Sequence, residues 1–291
     1  MGERYADRLC NAIDRAGTPA CVGIDPVVSR PPASVRASSG SDADAARSFC
    51  LEVLDALDAD LVPAVKPQSA CFERFGAVGV AILEDVVAKA RDRGLLVVLD
   101  VKRGDIGSTA EHYAAAALGL GADAVTVNGY MGRSAVEPFV ESGLGVYVLV
   151  RTSNPDSDEL QTEPLVSGGT VAQRMASVVH DLGRSSRGQR GLSDVGAVVG
   201  ATKRADEVEE LRGLMPDAPV LVPGVGAQGG TIEQVRPLVR AGSRSIGEAG
   251  VLINASRSVL FSGEGGSDWV SSVRAAAEAF ARECASITTA E

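Results

Sequence analysis

The sequence has few aromatic residues and few histidines. Aromatic side chains make up 4% of its 291 positions, and the histidines are His112 and His180 alone. So few rings argue against nucleic-acid binding by stacking on bases. The net charge of −10 argues against general attraction to nucleic acid or to anionic lipid. Two histidines far apart in the chain predict neither a metal cage nor a histidine-based triad.

Cysteine pairs and long apolar runs are also lacking. The five cysteines are scattered and form no CxxC pair, which predicts reduced thiols and a cytoplasmic protein. No apolar run approaches the roughly 18–20 residues that span a bilayer. The opening stretch MGERYADRLCNAIDRAG is charged and helical in period, so it predicts a helix over about 2–16 rather than a signal peptide. We therefore expect a soluble protein without a membrane partner.

Lysine is scarce. Of 28 basic residues only four are lysines, namely Lys66, Lys89, Lys102 and Lys203. In a chain that usually uses arginine, a lysine on a strand is a candidate for a position that needs a compact point charge.

Short β-rich runs recur along the whole chain, most of them separated by segments of helical period. Alternating strands and helices indicate parallel strands joined by crossover helices, and eight such units predict a (β/α)8 barrel. We expect one domain over residues 1–291. The runs are 19–26, 61–68, 95–102, 124–130, 146–152, 195–202, 219–226 and 250–256.

Two segments fit this repeat less well. Residues 27–43 are rich in proline and serine and predict a loop. Residues 153–194 are long for a connection and contain a helical pattern near 169–183. This second segment predicts an excursion that moves and covers the site.

Charged residues stand at the end of the most apolar strand, in VVLDVKRGDIG (97–107). Catalytic groups of β/α barrels lie at the carboxyl ends of strands. Asp100 and Lys102 are two positions apart and share one side of a strand, Asp105 follows in the loop, and Asp25 and Lys66 end the two preceding strands. An ion-pair network that only closes the barrel is the alternative, but desolvating several charges is costly. A lysine between two acids also disfavours a metal ion, so we expect none.

A glycine-rich turn, PGVGAQGG (223–230), follows the seventh run. Its GxGxxG spacing alone is weak evidence for a binding site. However, the loops after strands seven and eight of a barrel frequently bind phosphate through backbone amides. Gln228 can add a side-chain amide, and Arg257 after the eighth run can grip phosphate through two parallel hydrogen bonds. These features predict a phosphate monoester site.

The motifs together resemble those of orotidine 5′-monophosphate decarboxylases, in the longer bacterial and archaeal branch of that family. The DxKxxD signature occurs across a wider superfamily, whereas RTSNP and PGVGAQGG make the resemblance specific. The matching segments are CVGIDP (21–26), AVKPQSACFERFG (64–76), LDVKRGDIGSTA (99–110), VLVRTSNP (148–155), VVGAT (198–202), LVPGVGAQGG (221–230) and INASRSV (253–259).

The resemblance implies decarboxylation of orotidine 5′-monophosphate to uridine 5′-monophosphate (UMP) without cofactor or metal, in a homodimer. Lys102 would donate the proton to C6 within a network of Asp25, Lys66 and Asp100. Asp105, with Ile106 and Thr109, would reach the neighbouring subunit's site. The remaining implied contacts are Asp25 and Lys66 on the ribose, Ser153 on the pyrimidine, Gln228 between base and phosphate, and Pro223, Gly226 and Arg257 at the phosphate end.

Three other functions fit the same residues. One is a Mg²⁺-dependent lyase or decarboxylase of the superfamily that acts on a sugar phosphate. A second is a Schiff-base aldolase that uses Lys66 or Lys102. The third is a nucleotide-binding protein without catalysis, in which the glycine turn serves as a dinucleotide fingerprint.

Overall fold

Eight parallel strands close into a barrel in the computed structural model, which describes residues 2–226, 229–263 and 268–288. The pairing follows chain order, and the first strand completes the ring by pairing with the eighth. Each strand overlaps one of the predicted runs, so the predicted (β/α)8 barrel is confirmed. The strands are β1 (Ala20–Ile24), β2 (Ala64–Pro67), β3 (Leu96–Arg103), β4 (Ala124–Val127), β5 (Gly145–Arg151), β6 (Val195–Val199), β7 (Val220–Pro223) and β8 (Val251–Ala255).

Helices cover the outside of the barrel. They are α1 (Tyr5–Ala16), α2 (Ala33–Ser38), α3 (Asp42–Ala56), α4 (Ser69–Glu73), α5 (Ala77–Asp92), α6 (Gly107–Leu120), α7 (Glu137–Glu141), α8 (Asp158–Gln161), α9 (Val171–Gly183), α10 (Ala205–Leu214), α11 (Ile232–Val235), α12 (Arg257–Leu260) and α13 (Trp269–Ala285). Short 3₁₀ turns occupy Gly129–Met131, Arg133–Ala135, Pro155–Ser157, Arg236–Leu238 and Gly247–Ala249. Within the described ranges, no helix is both long enough and apolar enough to cross a membrane.

Burial explains why the strands read as apolar runs. Every residue of β1, β2, β4, β6 and β8 is buried, as expected for parallel strands with a packed interior and a layer of helices outside. In α5 the buried residues Ile82, Val86 and Ala90 recur every four positions and form the face that packs inward. The five cysteines are all free thiols.

One of the two irregular segments contains helices where a loop was predicted. Residues 27–43, predicted to be a loop, include α2 and the beginning of α3, so that prediction was wrong. Pro32 stands at the N-cap of α2, and Val35 is buried beneath it. In residues 153–194, α9 lies close to the predicted helix and begins with a capping box between Thr170 and Gln173.

Helix α1 fills the amino-terminal end of the barrel. Tyr5, Leu9 and Ile13 are buried among residues of the barrel interior, and the hydroxyl groups of Tyr5 and Tyr147 are 2.9 Å apart. Position 145 requires glycine, because a Cβ there would lie 2.1 Å from the Tyr5 ring. The amino-terminal mouth is therefore packed with side chains.

A buried arginine connects the segments that lead into β7 and β8. Arg212, in the last turn of α10, is 7% exposed, and its partners among the described residues are all backbone carbonyl groups. Its partners are Leu238 (2.6 Å), Met215 (3.2 Å), Pro216 (3.5 Å), Ala218 (2.8 Å) and Gly250 (3.0 Å). One planar guanidinium thus satisfies carbonyl groups from several separate segments.

We predict that Arg212→Lys lowers the free energy of unfolding by about 2–4 kcal/mol, because an ammonium has three donors and leaves at least one buried carbonyl unpaired. Urea unfolding measures this change. Arg204→Lys is the control, since Arg204 is exposed and, within the part of the chain that the structure describes, pairs only with Asp206; it should change stability by less than about 0.5 kcal/mol. Equal effects of the two substitutions would contradict the assignment.

Candidate active site

The carboxyl ends of the strands surround a cavity of about 600 Å³. Leu149, Val198 and Leu221 supply apolar surface, and charged or polar side chains supply the rest. Because all eight strands are parallel, their carboxyl ends meet at this one rim. The charged residues that line the cavity are Asp25, Lys66, Asp100, Lys102 and Arg257.

Asp100 is the centre of the charged part of the cavity. Its Oδ2 accepts hydrogen bonds from Lys66 Nζ at 2.7 Å and from Gln68 Nε2 at 3.0 Å. Its Oδ1 accepts from Lys102 Nζ at 2.6 Å and from Thr126 Oγ1 at 2.8 Å. One carboxylate therefore fixes two ammonium groups that come from neighbouring strands.

The two lysines differ in exposure. The side chain of Lys66 is 6% exposed and that of Asp100 is 7% exposed, whereas that of Lys102 is 46% exposed. Lys66 and Asp100 form the buried foundation of the network. Of the two lysines, Lys102 is the one whose side chain is substantially exposed at the cavity.

The charges of neighbouring groups keep Lys66 and Asp100 ionised. Burial by itself raises the pKa of Asp100, but the charges of Lys66 and Lys102 outweigh burial and hold that pKa well below its ordinary value. Burial lowers the pKa of Lys66, and the charges of Asp100 and Asp25 more than reverse this, so that its pKa is raised. Both groups are charged at neutral pH.

The backbone at Lys102 is strained. Its φ angle is +44°, and among the described residues it is the one non-glycine residue with positive φ. The pairing of β3 with β4 shifts register between Leu99 and Arg103, and the Lys102 N–H donates to Thr126 Oγ1 at 3.0 Å. The irregular strand and this bond hold the lysine in a conformation that costs an L-residue about 1–2 kcal/mol.

The opposite end of the cavity carries the glycine turn and Arg257. Gly224 and Val225 line the cavity, and Gly224 and Gly226 have φ of +100° and +75°, which glycine adopts without a penalty. The turn is closed by hydrogen bonds from Gly226 N to Gly230 O and from Gly230 N to Gly224 O. The exposed Arg257 begins α12 and forms no ion pair with a described residue. Gln228 lies outside the described residues.

Three buried polar atoms in the cavity wall have no hydrogen-bond partner among the described residues: Asp25 Oδ1, Asn254 Oδ1 and Ser256 Oγ. An unpaired buried polar atom costs about 1–3 kcal/mol, and such a cluster in one cavity indicates that a ligand or water completes it. The sequence places Asn254 and Ser256 at the end of the eighth strand, among the polar residues expected at the rim of the barrel, but sequence reasoning assigned neither of them a role in the site.

The structure brings most of the predicted site residues to one place. Those that line the cavity are Asp25, Lys66, Asp100, Lys102, Ser153, Pro223 and Arg257, and Gly226 belongs to the adjoining turn. Asp105, Ile106 and Thr109 do not line it. The Asp105 carboxylate accepts a hydrogen bond from the N–H of Ile106, a residue that is itself 58% exposed. Among the described residues, no group of three or more His, Cys, Asp or Glu side chains is placed to hold a metal ion.

A closed parallel barrel with alternating cations and anions at the carboxyl ends of its strands defines a β/α-barrel enzyme. Comparison with known proteins gives the family: residues 8–269 match the model of the orotidine 5′-phosphate decarboxylase / HUMPS family. The chain belongs to this family.

Similar proteins carry the same description. The chain is 42% identical over 297 residues to an orotidine 5′-phosphate decarboxylase of Rhodopirellula baltica, covering 94% of this chain and 96% of that protein. It is 41% identical to one of Streptomyces coelicolor, covering 99% of each. A solved OMP decarboxylase of Leishmania donovani superposes with a TM-score of 0.77 at 30% identity, covering 99% of this chain and 100% of the other.

We predict that Lys102→Gly is more stable than Lys102→Ala by about 1 kcal/mol, because only glycine accepts the positive φ without strain. Urea unfolding of the two variants measures the difference. Arg103, the next residue, has no positive φ, so Arg103→Gly should instead be less stable than Arg103→Ala by roughly 0.5–1 kcal/mol. The same order of stability at both positions would show that Lys102 is not strained.

Proposed function

We propose that this chain converts orotidine 5′-monophosphate to UMP and CO₂ in pyrimidine biosynthesis, with Lys102 as the proton donor. The observation that carries the proposal is the network in which Asp100 holds the half-exposed Lys102 and the buried Lys66 within one cavity. The glycine turn and Arg257 at the other end of that cavity support binding of the nucleotide phosphate.

The charge pattern suits this reaction for a physical reason. Decarboxylation moves one negative charge from a carboxylate to a ring carbon and leaves the total charge unchanged. A cation that attracts substrate and transition state equally gives no acceleration of the chemical step. The site must therefore favour charge on the carbon over charge on the carboxylate, and this requires a cation and an anion at different, fixed positions.

Lys102 and Asp100 supply such an asymmetry. As the bond from C6 to the carboxylate carbon breaks, its electron pair stays on C6, CO₂ leaves, and C6 takes a proton from Lys102 Nζ. At about 4 Å and an effective dielectric near 20, one charge pair interacts by roughly 4 kcal/mol. If realised only in the transition state, this corresponds to about a thousandfold in rate.

The rest of the substrate has partners in the same cavity. The unpaired oxygens of Asp25, Asn254 and Ser256 can accept or share hydrogen bonds with ribose hydroxyl groups, and Lys66 lies beside Asp25. Ser153 contacts the pyrimidine edge. Binding of the remote phosphate by Arg257 supplies energy that the enzyme uses to hold the base against Lys102.

The Schiff-base alternative is disfavoured for Lys66, because an amine whose pKa is raised and which is buried against Asp100 is a poor nucleophile. The sugar-phosphate and non-catalytic alternatives differ from the proposal in their chemistry. Decarboxylation that persists in excess EDTA counts against a Mg²⁺-dependent sugar-phosphate enzyme. Turnover of any kind counts against a nucleotide-binding protein without catalysis.

The loops after β3 and β4 present an apolar surface beside the cavity. They touch, since a Cβ at Gly104 would lie 2.8 Å from the backbone oxygen of Asn128. The exposed apolar side chains of these loops are Ile106 (58%), Tyr130 (75%) and Met131 (50%). Neighbouring exposed apolar groups of this size support an interface with another protein surface.

This surface supports a homodimer in which the loop after β3 reaches a partner's site. Asp105 and Thr109 lie in or just after that loop, and neither lines the cavity of its own chain. In the dimer, Asp105 of one subunit would face the substrate of the other, and Ile106 would pack across the interface.

We predict that Lys102→Ala lowers kcat for orotidine 5′-monophosphate at least a thousandfold, because both the cation and the proton donor are lost. Loss of the orotidine chromophore in excess EDTA measures turnover. A UMP-induced rise in melting temperature comparable to that of the unaltered chain shows that the variant still folds and binds. Substantial remaining turnover would refute the role of Lys102.

We also predict that a mixture of inactive Lys102→Ala and Asp105→Ala chains regains activity. One of the two sites in a mixed dimer then contains both an intact Lys102 and an intact Asp105. The fraction of mixed dimer, measured with differently tagged chains, sets the expected activity. If subunits exchange and no activity returns, Asp105 does not act across the interface.

A further inference from the structure

A second charge cluster lies directly beside the cavity, around the buried Arg151 at the end of β5. The Arg151 side chain is 2% exposed. Its Nε donates to Glu207 Oε1 at 2.5 Å, its Nη1 to Ser157 Oγ at 2.8 Å, and its Nη2 to Asp158 Oδ1 at 2.6 Å. Lys203 Nζ also donates to Ser157 Oγ, at 2.9 Å. The decarboxylation mechanism uses none of these groups.

The cluster is electrically balanced. Asp158 and Glu207 carry the two negative charges opposite Arg151 and Lys203, and Asp158 lies 3.3 Å from Lys203 Nζ. A buried guanidinium with two carboxylates forms short, charge-assisted hydrogen bonds of fixed direction. Arg151 thus joins the end of β5 to the first turn of α10 and to the loop that contains α8.

Helix α8 connects the Arg151 cluster to the wall of the cavity. Gln161, its last residue, accepts a hydrogen bond from Thr152 N and donates one to Thr152 Oγ1, both at 2.9 Å. Arg151 Nη1 lies 3.4 Å from Gln161 Oε1. Thr152 Oγ1 in turn donates to Asn154 Oδ1 at 2.5 Å. The side chains of Thr152, Asn154 and Gln161 all line the cavity.

The wall formed by these three residues lies away from the phosphate end. Thr152 and Asn154 flank Ser153 after β5, whereas Gly224 and Arg257 follow β7 and β8. With the phosphate at β7 and β8 and the reacting carbon at Lys102 on β3, the wall after β5 faces the base. The bonds from Gln161 to Thr152 and from Thr152 to Asn154 fix which groups of that wall can donate or accept.

We propose that Arg151 is a positioning residue that sets the base-recognition wall, by holding α8 so that Gln161 fixes Thr152. It contacts no part of the substrate itself. This proposal rests on the proposed function, since it takes the ligand to be a pyrimidine nucleotide. It assigns to the cluster a role in recognising the base and none in binding the sugar phosphate.

The test compares two ligands that differ only in the base. Isothermal titration with UMP and with ribose 5-phosphate gives both affinities for the unaltered chain and for Arg151→Met, which keeps the side-chain length without the charge. We expect Arg151→Met to weaken UMP binding at least tenfold and ribose 5-phosphate binding less than twofold. Arg151→Lys, which keeps the charge but loses the planar fork, should fall between.

Arg204→Met is the matched control. Arg204 lies in the segment before α10, as an exposed residue whose one ion-pair partner among the described residues is Asp206, and its substitution should leave both affinities unchanged. If Arg151→Met does not fold, Gln161→Leu replaces it, because that substitution breaks the bonds to Thr152 without leaving a buried charge unpaired. The same selective loss of UMP affinity is expected.

Each outcome decides the proposal. Unchanged UMP binding in Arg151→Met and Gln161→Leu would overturn it, and so would an equal loss for both ligands, which indicates general damage. An unaltered chain that does not bind UMP would overturn it as well. An unaltered chain that binds UMP selectively but does not decarboxylate orotidine 5′-monophosphate would refute the proposed function alone.

Discussion

The carboxylate of Asp100 is the group on which the site depends, because it is shared by two lysines and cannot be neutralised without releasing both. Its two oxygens accept four hydrogen bonds, which leaves little freedom for rotation. The side chain of Lys66 is buried, whereas that of Lys102 is about half exposed. A buried ion pair seldom stabilises a fold by itself. Here its effect is to give the exposed ammonium a defined position.

The same constraint explains the strained backbone next to it. A regular strand carries successive side chains to opposite faces, whereas β3 shifts register before Arg103 and places Lys102 at positive φ. Local strain of this kind persists only where surrounding contacts determine it, and here the bonds to Asp100 and Thr126 do so. The strain lowers the free energy of unfolding, and it does so at the residue whose position matters most for the reaction.

The sequence predicts the barrel and most of the cavity, because parallel strands bury continuous apolar runs and their carboxyl ends meet. For that reason Asp25, Lys66, Asp100 and Lys102 could be grouped before any coordinates. The contacts of Arg151 could not, since its partners come from α8 and α10 and no local pattern marks them. Asn254 could be placed at the same rim because it ends the eighth strand, but its unpaired Oδ1 could not be predicted, since pairing depends on neighbours from other strands.

The helix that fills the amino-terminal mouth has a consequence for synthesis of the chain. Tyr5 packs against Tyr147, and Ala6 N donates to Asp194, so α1 is synthesised well before these partners, which lie on β5 and immediately before β6. Until then Leu9 and Ile13 have no interior to enter. During synthesis the apolar face of α1 therefore stays exposed until β5 and β6 have formed, and transiently exposed apolar surface of this kind is what chaperones bind.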